Sequence, residues 1–356
     1  MSPLAELHDE LRTVARDLLG KAPGGVPEWA QLASAGWLGL EVPEDCDGAG
    51  ATFAEVAVVL EEMGRAATAS PYLGTSLGVG ALCAVEPTDV VRDLLRRVAG
   101  GEAAVAVALT AGGDQVDLRP PFRLEASGGP RLRGEAAFVV DAPVAHRLLL
   151  LAADPDGVPV LVSVDQATAA VTPQPVLDAT RSLGAVVADG APVDEADVWR
   201  FTDDPVAGAQ RLLDRAAVAV ACDSIGLAEA MLDATVAYAG VRRQFDRPIG
   251  SFQAVKHQCA DMLVQLTVGR RLLDEAVAAV AEGSPDAGTA ASRAKSFVSA
   301  AAVDVVGAAM QLHGGIGYTW ESGIHVHLKR AVLDRALFGS PSAHRRRLAS
   351  HILAGR

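Results

Sequence analysis

The stretch QRLLDRAAVAVACDSIGLAEAMLDATVAYAG, Gln210 to Gly240, constrains the fold more than any other part of the chain. Its polar residues are few, and those such as Arg211, Arg215, Cys222, Glu229 and Asp233 leave most of a helical circumference apolar. A surface helix carries one apolar stripe, whereas a helix apolar on most sides needs neighbours all around it, so this element belongs inside a bundle. Two more helical patterns follow. One starts after the turn at Pro248 and sets Val255, Cys259, Met262, Leu266, Leu273, Val277 and Val280 along one face. The other is rich in alanine, runs from about residue 286 to 310 and stops at Gly314 and Gly315.

The opening of the chain is also helical in pattern. ELHDELRTVARDLLG and FAEVAVVLEEMGRA repeat apolar residues at three- and four-residue spacing, with Gly20 and Gly64 near their ends and the loop GLEVPEDCDGAGAT between them. From about 103 to 200 the texture changes to short runs (AVAVALT, FRLEA, AAFVV, HRLLLLAA, PVLVSV) separated by Gly, Pro and Asp turns, the pattern of an antiparallel sandwich or barrel. The expectation is an α+β multidomain protein: a helical domain over 1–102, a β domain over 103–203 and a four-helix-type bundle over 204–356. A length of 356 residues accommodates two or three such domains.

Forty-four acidic residues against 31 lysines and arginines give a formal charge of -13, which argues against nucleic acid or an anionic membrane as the main partner. No apolar run reaches the ~18 residues of a membrane span, and Glu6, Asp9, Glu10 and Arg12 at the start are unlike a signal peptide. These features predict a soluble, cytoplasmic protein. Cys46, Cys83, Cys222 and Cys259 share no short spacing, so they suggest neither a zinc site nor a disulfide framework and read as buried thiols.

Against this acidic background VRRQFDRPIGSFQ, Val241 to Gln253, is a basic corner. Arg242 and Gln244 suit an anion such as phosphate through charge-assisted hydrogen bonds worth roughly 1.5–3 kcal/mol each. The same pattern suits a solvated loop with surface ion pairs to Asp246 or Asp261. In QLHGGIGYTWE, Gln311 to Glu321, paired glycines let backbone approach a flat ligand while Gln311 offers an amide; equally, Gly-Gly after a helix is an ordinary C-cap. His325 and His327 lie two apart, point to different helix faces and read as surface imidazoles. Glu61 and Glu62 read as a helix end facing water, and Arg345 to Arg347 as a solvated face. Ser182, Ser340 and Ser342 have no nucleophile-elbow context.

Taken together, RRQFDRPIGSFQ and QLHGGIGYTWE resemble the C-terminal domain of the acyl-CoA dehydrogenases. WAQLASAGWLGLEVPEDCDGAGATFAEVAVVLEEMGRA is similar to that family's opening domain, so the resemblance covers nearly the whole chain. It implies a helical, β, helical subunit that binds FAD and removes two hydrogens across the α,β bond of an acyl-CoA thioester, with electron-transfer flavoprotein as electron acceptor. It places Arg242 and Gln244, beside Phe245, at the FAD pyrophosphate, adds Gln253 from the following helix, and sets Gln311, Gly314 and Gly315 near the adenine end. In the family these groups reach the flavin of a neighbouring subunit.

The departures carry as much meaning. Where the family shows a Trp-Ile-Thr strand against the flavin ring, this chain has Phe138 and Val140, and LTAGGDQVDL stands in place of its Thr-Glu-Pro and Gly-Ser-Asp segment. The resemblance puts the catalytic base, a glutamate in most members, at Phe338, and the alternative seat on the first bundle helix at Ala216. Neither side chain can accept the α-proton. Asp214 lies near the second seat but is rotated by roughly 200° on a helix. The expectation is therefore a subunit lacking the base in an α2β2 heteromer, completing an FAD site shared with a base-bearing partner, as in some actinobacterial steroid side-chain pathways. Two alternatives stand beside it: a self-sufficient acyl-CoA or acyl-carrier-protein dehydrogenase with a displaced base such as Asp214 or Glu321, and a catalytically dead scaffold or binding member of the family.

Overall fold

The computed structural model describes residues 3–22, 26–125 and 129–354. Helices α1 (Pro3–Lys21), α2 (Trp29–Ser34), α3 (Phe53–Arg65), α4 (Tyr72–Leu82) and α5 (Asp89–Ala99) come first. Strands β1 (Val105–Ala108), β2 (Phe122–Glu125), β3 (Arg131–Val140), β4 (Arg147–Ala153), β5 (Pro159–Val164), β6 (Ala170–Pro173), β7 (Leu183–Pro192) and β8 (Val198–Arg200) follow. Helix α6 (Pro205–Val241), the ribbon β9 (Arg243–Gln244) and β10 (Arg247–Pro248), and helices α7 (Gln253–Ala281), α8 (Ala287–Leu312), α9 (Ile324–Ala336) and α10 (Pro341–Ala354) complete the chain. Among the described residues no helix is long and apolar enough to cross a membrane.

The start of α6 follows from local chemistry. Asp204 accepts a hydrogen bond from the Ala207 N–H at 2.7 Å, and Pro205 supplies the fixed φ of a first helical position. The apolar circumference read from its sequence is matched by its surroundings, since residues 212–228 are buried without a break.

One compact unit comprises Ala22–Val56 and Ala69–Ala216. Its strands form one sheet in the order β6-β7-β3-β2-β4-β5-β8, with β1 also paired to β4. The sheet is mixed where the sequence predicted antiparallel pairing throughout. Strands β1 and β2 run parallel to successive stretches of β4, Val105 to Ala108 opposite Arg147 to Leu150 and Phe122 to Arg123 opposite Ala152 to Ala153; the other described ladders are antiparallel. Each reaches β4 only after intervening strands, which permits the parallel direction that a tight hairpin forbids. Phe122, Leu132, Leu148, Leu150, Val162 and Val186 form the core on this sheet, each worth about 1.5–3 kcal/mol when fully buried. Helix α4 is seated through Asp141, whose Oδ2 accepts from the Gly74 N–H at 2.9 Å, setting negative charge at the positive end of that helix.

The other unit holds the chain up to Lys21, Ala57–Thr68 and everything from Ala217. Here α3 and α6 touch backbone to backbone: a Cβ added at Gly64 would lie 2.1 Å from the Asp223 carbonyl oxygen, and one at Gly226 would lie 1.9 Å from that of Glu61. The Arg330 guanidinium of α9 is buried against the Asp223 carboxylate and donates to the Thr68 carbonyl at 2.7 Å. The buried Lys295 of α8 donates to the Asp334 carbonyl at 2.8 Å, placing a cation at the negative end of α9.

Several surface readings are corrected. Glu61 and Glu62 do not face water; both are buried. Arg16 donates to both Glu62 oxygens at 2.9 Å, and Arg270 bridges Glu61 and Glu229 at 2.6 Å each. Burial pushes the Glu61 carboxyl up from its ordinary value, against the pull of Arg270 and Arg12. Burial works against the Arg270 charge, but Glu61 and Glu229 outweigh it and hold the guanidinium above its usual range. Arg347 is buried on α10, so the basic run there is not wholly a solvated face. Cys46 and Cys222 are buried as expected, whereas Cys259 is half-buried and Cys83 exposed.

Candidate functional site

The basic corner is a two-residue hairpin. Arg243 and Gln244 pair with Pro248 and Arg247. Phe245 (φ 52°) and Asp246 (φ 63°) form the turn, the left-handed pair that a type I′ connection needs. The sharp reversal therefore lies at Phe245 and Asp246; Pro248 closes the ribbon and leads into a short 3-10 turn, Ile249–Ser251. A phenylalanine at positive φ is costly, and this one is also 86% exposed. Its ring meets Phe252 edge-on at 6.1 Å, and the Arg247 guanidinium lies 4.0 Å over the Phe252 ring.

Each cofactor candidate has a distinct place. Arg242 leaves the end of α6 into solvent; among the described residues its guanidinium makes no hydrogen bond or ion pair. Its backbone closes the ribbon, accepting from the Ile249 N–H at 2.8 Å. The Gln244 amide donates to the Arg243 carbonyl at 2.9 Å, and Arg243 itself donates to the Asp246 carbonyl. Neither the Asp246 nor the Asp261 carboxylate forms an ion pair, so the solvated ion-pair reading of this corner has no support among the described residues. Gln253 is the exposed first residue of α7.

At the end of α8 the Gln311 Oε1 accepts from the Tyr318 hydroxyl at 3.4 Å, which leaves the amide N–H groups for another partner. Gly314 turns left-handed (φ 61°), and a Cβ built on it or on Gly315 would meet nothing within 4 Å. At Gly314 and Gly315 the turn over Gly314–Tyr318 thus presents bare backbone to open space.

The two motifs meet. Tyr238, one turn before Arg242, stacks on His313, the C-cap of α8, with ring centroids 4.4 Å apart and planes 20° from parallel. The Tyr238 hydroxyl reaches the His313 carbonyl at 3.5 Å. Sequence reasoning missed this pair, although Tyr238 shares a helix face with Arg242 at the i, i+4 spacing. A guanidinium, side-chain amides and an open glycine backbone are the donor set of a nucleotide diphosphate site, and these residues fit the pyrophosphate and adenosine part of FAD.

The two positions that the resemblance assigns to the base, Phe338 and Ala216, hold no carboxylate. Phe338 is left-handed (φ 53°), and its carbonyl accepts from the His344 Nε2–H at 2.9 Å, which fixes that imidazole as the Nε2–H tautomer. Ala216 is fully buried. Asp214 is also buried and takes a hydrogen bond from the Gln210 amide at 3.3 Å. Glu321 is exposed, and its own backbone N–H and the Thr319 hydroxyl hold its carboxyl below the usual range, the opposite of what a general base needs.

Phe138 stands at a break in the β3 and β7 register, at φ 56° and largely exposed, its N–H donating to the Gln174 side chain at 2.6 Å. Val140 is buried and has no hydroxyl to offer. The surface reading of the histidines is corrected: His325 packs edge-on against Trp320 at 4.4 Å, and burial lowers the half-buried His327 below its ordinary value. Among the described residues no group of three or more His, Cys, Asp or Glu side chains could hold a metal ion.

Comparison with known proteins adds an independent finding. Residues 5–102 match the model of the acyl-CoA dehydrogenase N-terminal domain, and residues 206–353 that of the C-terminal domain. The chain is 34% identical over 356 residues to the acyl-CoA dehydrogenase IpdE2 of Mycolicibacterium smegmatis, covering 99% of this chain and 96% of the relative. It superposes on a Tcur3481–Tcur3483 steroid ACAD with a TM-score of 0.87 at 31% identity, covering 99% of both chains. It also superposes on the ChsE4–ChsE5 complex from Mycobacterium tuberculosis with a TM-score of 0.86 at 26% identity, covering 99% of this chain and 98% of the other.

Proposed function

The chain belongs to the acyl-CoA dehydrogenase family, whose cofactor is FAD, and on that premise we propose that it is the base-lacking subunit of a heteromeric acyl-CoA dehydrogenase. The observation that carries this reading is the pair of base seats, occupied by Phe338 and Ala216. Desaturation of an acyl-CoA thioester needs a carboxylate within hydrogen-bond reach of the α-proton, and its loss costs about 10² to 10⁴ in rate. A partner subunit supplies that carboxylate in this scheme.

Bound FAD supplies the acceptor for the hydride that leaves the β-carbon. This chain's own part is to hold the nucleotide end. Arg242 would neutralise the pyrophosphate and Gln244 would help orient it, Gln311 would offer its amide N–H groups to the adenosine, and the backbone at Gly314 and Gly315 would admit the ligand closely. Gln253, at the exposed start of α7, completes the grip. Electron-transfer flavoprotein takes the electrons onward. The likeness to a steroid ACAD and to the ChsE4–ChsE5 complex supports a paired assembly and a bulky, steroid-derived acyl chain.

The test is co-expression with a base-bearing member of the family from the same genome. The complex should hold one flavin for each pair of unlike chains and oxidise acyl-CoA, while this chain alone should hold little flavin. Efficient oxidation by the isolated chain with one flavin per copy overturns the reading.

A further inference from the structure

We infer that the Tyr238–His313 stack is the spacer that fixes the separation of the two cofactor-gripping segments, so that both rings are positioning residues for the dinucleotide. The inference rests on the functional reading above and adds Tyr238, which lies outside both motifs, and His313, a motif residue given no part in holding the cofactor.

On one side, the Arg242 N–H donates to the Tyr238 carbonyl at 2.8 Å, so the ring and the free guanidinium belong to the same helical turn. On the other side, His313 is held twice. Its Nδ1 donates to the Ala309 carbonyl at 2.8 Å, which fixes ring orientation and tautomer, and its backbone leads directly into the left-handed Gly314. The following turn closes over it: a Cβ at Gly317 would lie 3.2 Å from the His313 Cβ and 2.4 Å from the Met310 carbonyl. The His313 ring therefore cannot move without carrying the Gly314–Tyr318 turn, and with it the Tyr318 hydroxyl that holds Gln311. Tyr238 cannot move without carrying Arg242.

A dinucleotide spans both segments with a fixed reach from pyrophosphate to adenine. A spacer that slips removes hydrogen bonds at one end whenever the other end is satisfied. A ligand that touches only one segment feels no such penalty, and that difference separates positioning from general stabilisation.

The experiment uses the assembly of this chain with its base-bearing partner, stripped of flavin and titrated with FAD by fluorescence, with adenosine, which carries no phosphate and so cannot bridge the segments, as a competing half-ligand. Tyr238→Leu and His313→Ala are each expected to weaken FAD binding by about tenfold. Combining them should add little to either alone, adenosine binding should stay unchanged, and Tyr238→Phe and His313→Phe, which keep the stacked rings, should retain wild-type FAD affinity. FAD affinity unchanged in the Leu and Ala variants overturns the inference, as does equal weakening of FAD and adenosine. A wild-type assembly that takes up no FAD overturns the functional reading and the spacer together.

Discussion

Arg330 holds Asp223 through two parallel hydrogen bonds, 2.8 Å from Nε and 2.6 Å from Nη2, with both side chains 1% exposed. Asp223 also presents its carbonyl to Gly64, so one residue of α6 joins α3 through its backbone and α9 through its carboxylate. Removing one partner strands a buried charge. Arg330→Met should cost about 3–5 kcal/mol of stability in chemical denaturation, and the double variant Arg330→Met with Asp223→Leu should recover much of that loss. A single variant within ~0.5 kcal/mol of wild type would show that the pair is not desolvated.

The crossing of α3 and α6 gives a matched comparison. Gly226→Ala drives a methyl into the Glu61 carbonyl and should cost at least about 1–3 kcal/mol. Gly240→Ala, on the same helix with nothing within 4 Å of an added Cβ, should be neutral or stabilising by up to ~1 kcal/mol. Equal thermal shifts for the two variants would refute the contact.

Asp214→Asn in the assembled enzyme should leave turnover within a few-fold of wild type, because that carboxylate is buried beside Gln210 and has no part in the proposed proton transfer. A loss of about 10² or more in single-turnover reduction of the flavin would make Asp214 a displaced base.

His327 sets a pH dependence. Burial lowers its pKa in the folded chain, so the unfolded chain binds the proton more readily. The stability of the neutral, buried ring is therefore fully present above the ordinary value of 6.5 and is lost as pH falls through the lower folded value. Melting curves across that range should show a downward slope with acidification that His327→Gln flattens; identical slopes exclude the assignment.

The thiols should be slow. Burial, reinforced by the Glu41 carboxylate, pushes the Cys83 thiol up to about 12, and its Sγ points at the Glu41 carbonyl 3.7 Å away although the residue is exposed. Burial also raises Cys46, Cys222 and Cys259. At pH 8 only about 10⁻⁴ of Cys83 is thiolate, so a disulfide reagent should label the native protein far more slowly than the urea-unfolded chain. Fast stoichiometric labelling of native Cys83 would contradict this.

What the sequence revealed was local. The apolar circumference of α6 and the turn punctuation of the strands act within a few residues of themselves, and each reads directly into an element. The resemblance located the corner at Arg242 and the glycine turn at Gly314 by motif. Glu61 and Glu62 were misread because their partners Arg16 and Arg270 come from 46 and 209 residues away, and no window carries that pairing. The parallel run of β1 and β2 beside β4 is likewise a matter of chain return. The Tyr238–His313 stack joins residues 75 apart, so each motif was visible while the contact between them was not.

At Gly64 and Gly226 backbone meets backbone, and no side chain stands at those two points to change rotamer and absorb a shift. The joint behaves as a weld: a push on one rod is delivered to the other undiminished. A side chain introduced at either glycine is therefore accommodated by parting the two rods, since the joint itself holds nothing that can yield.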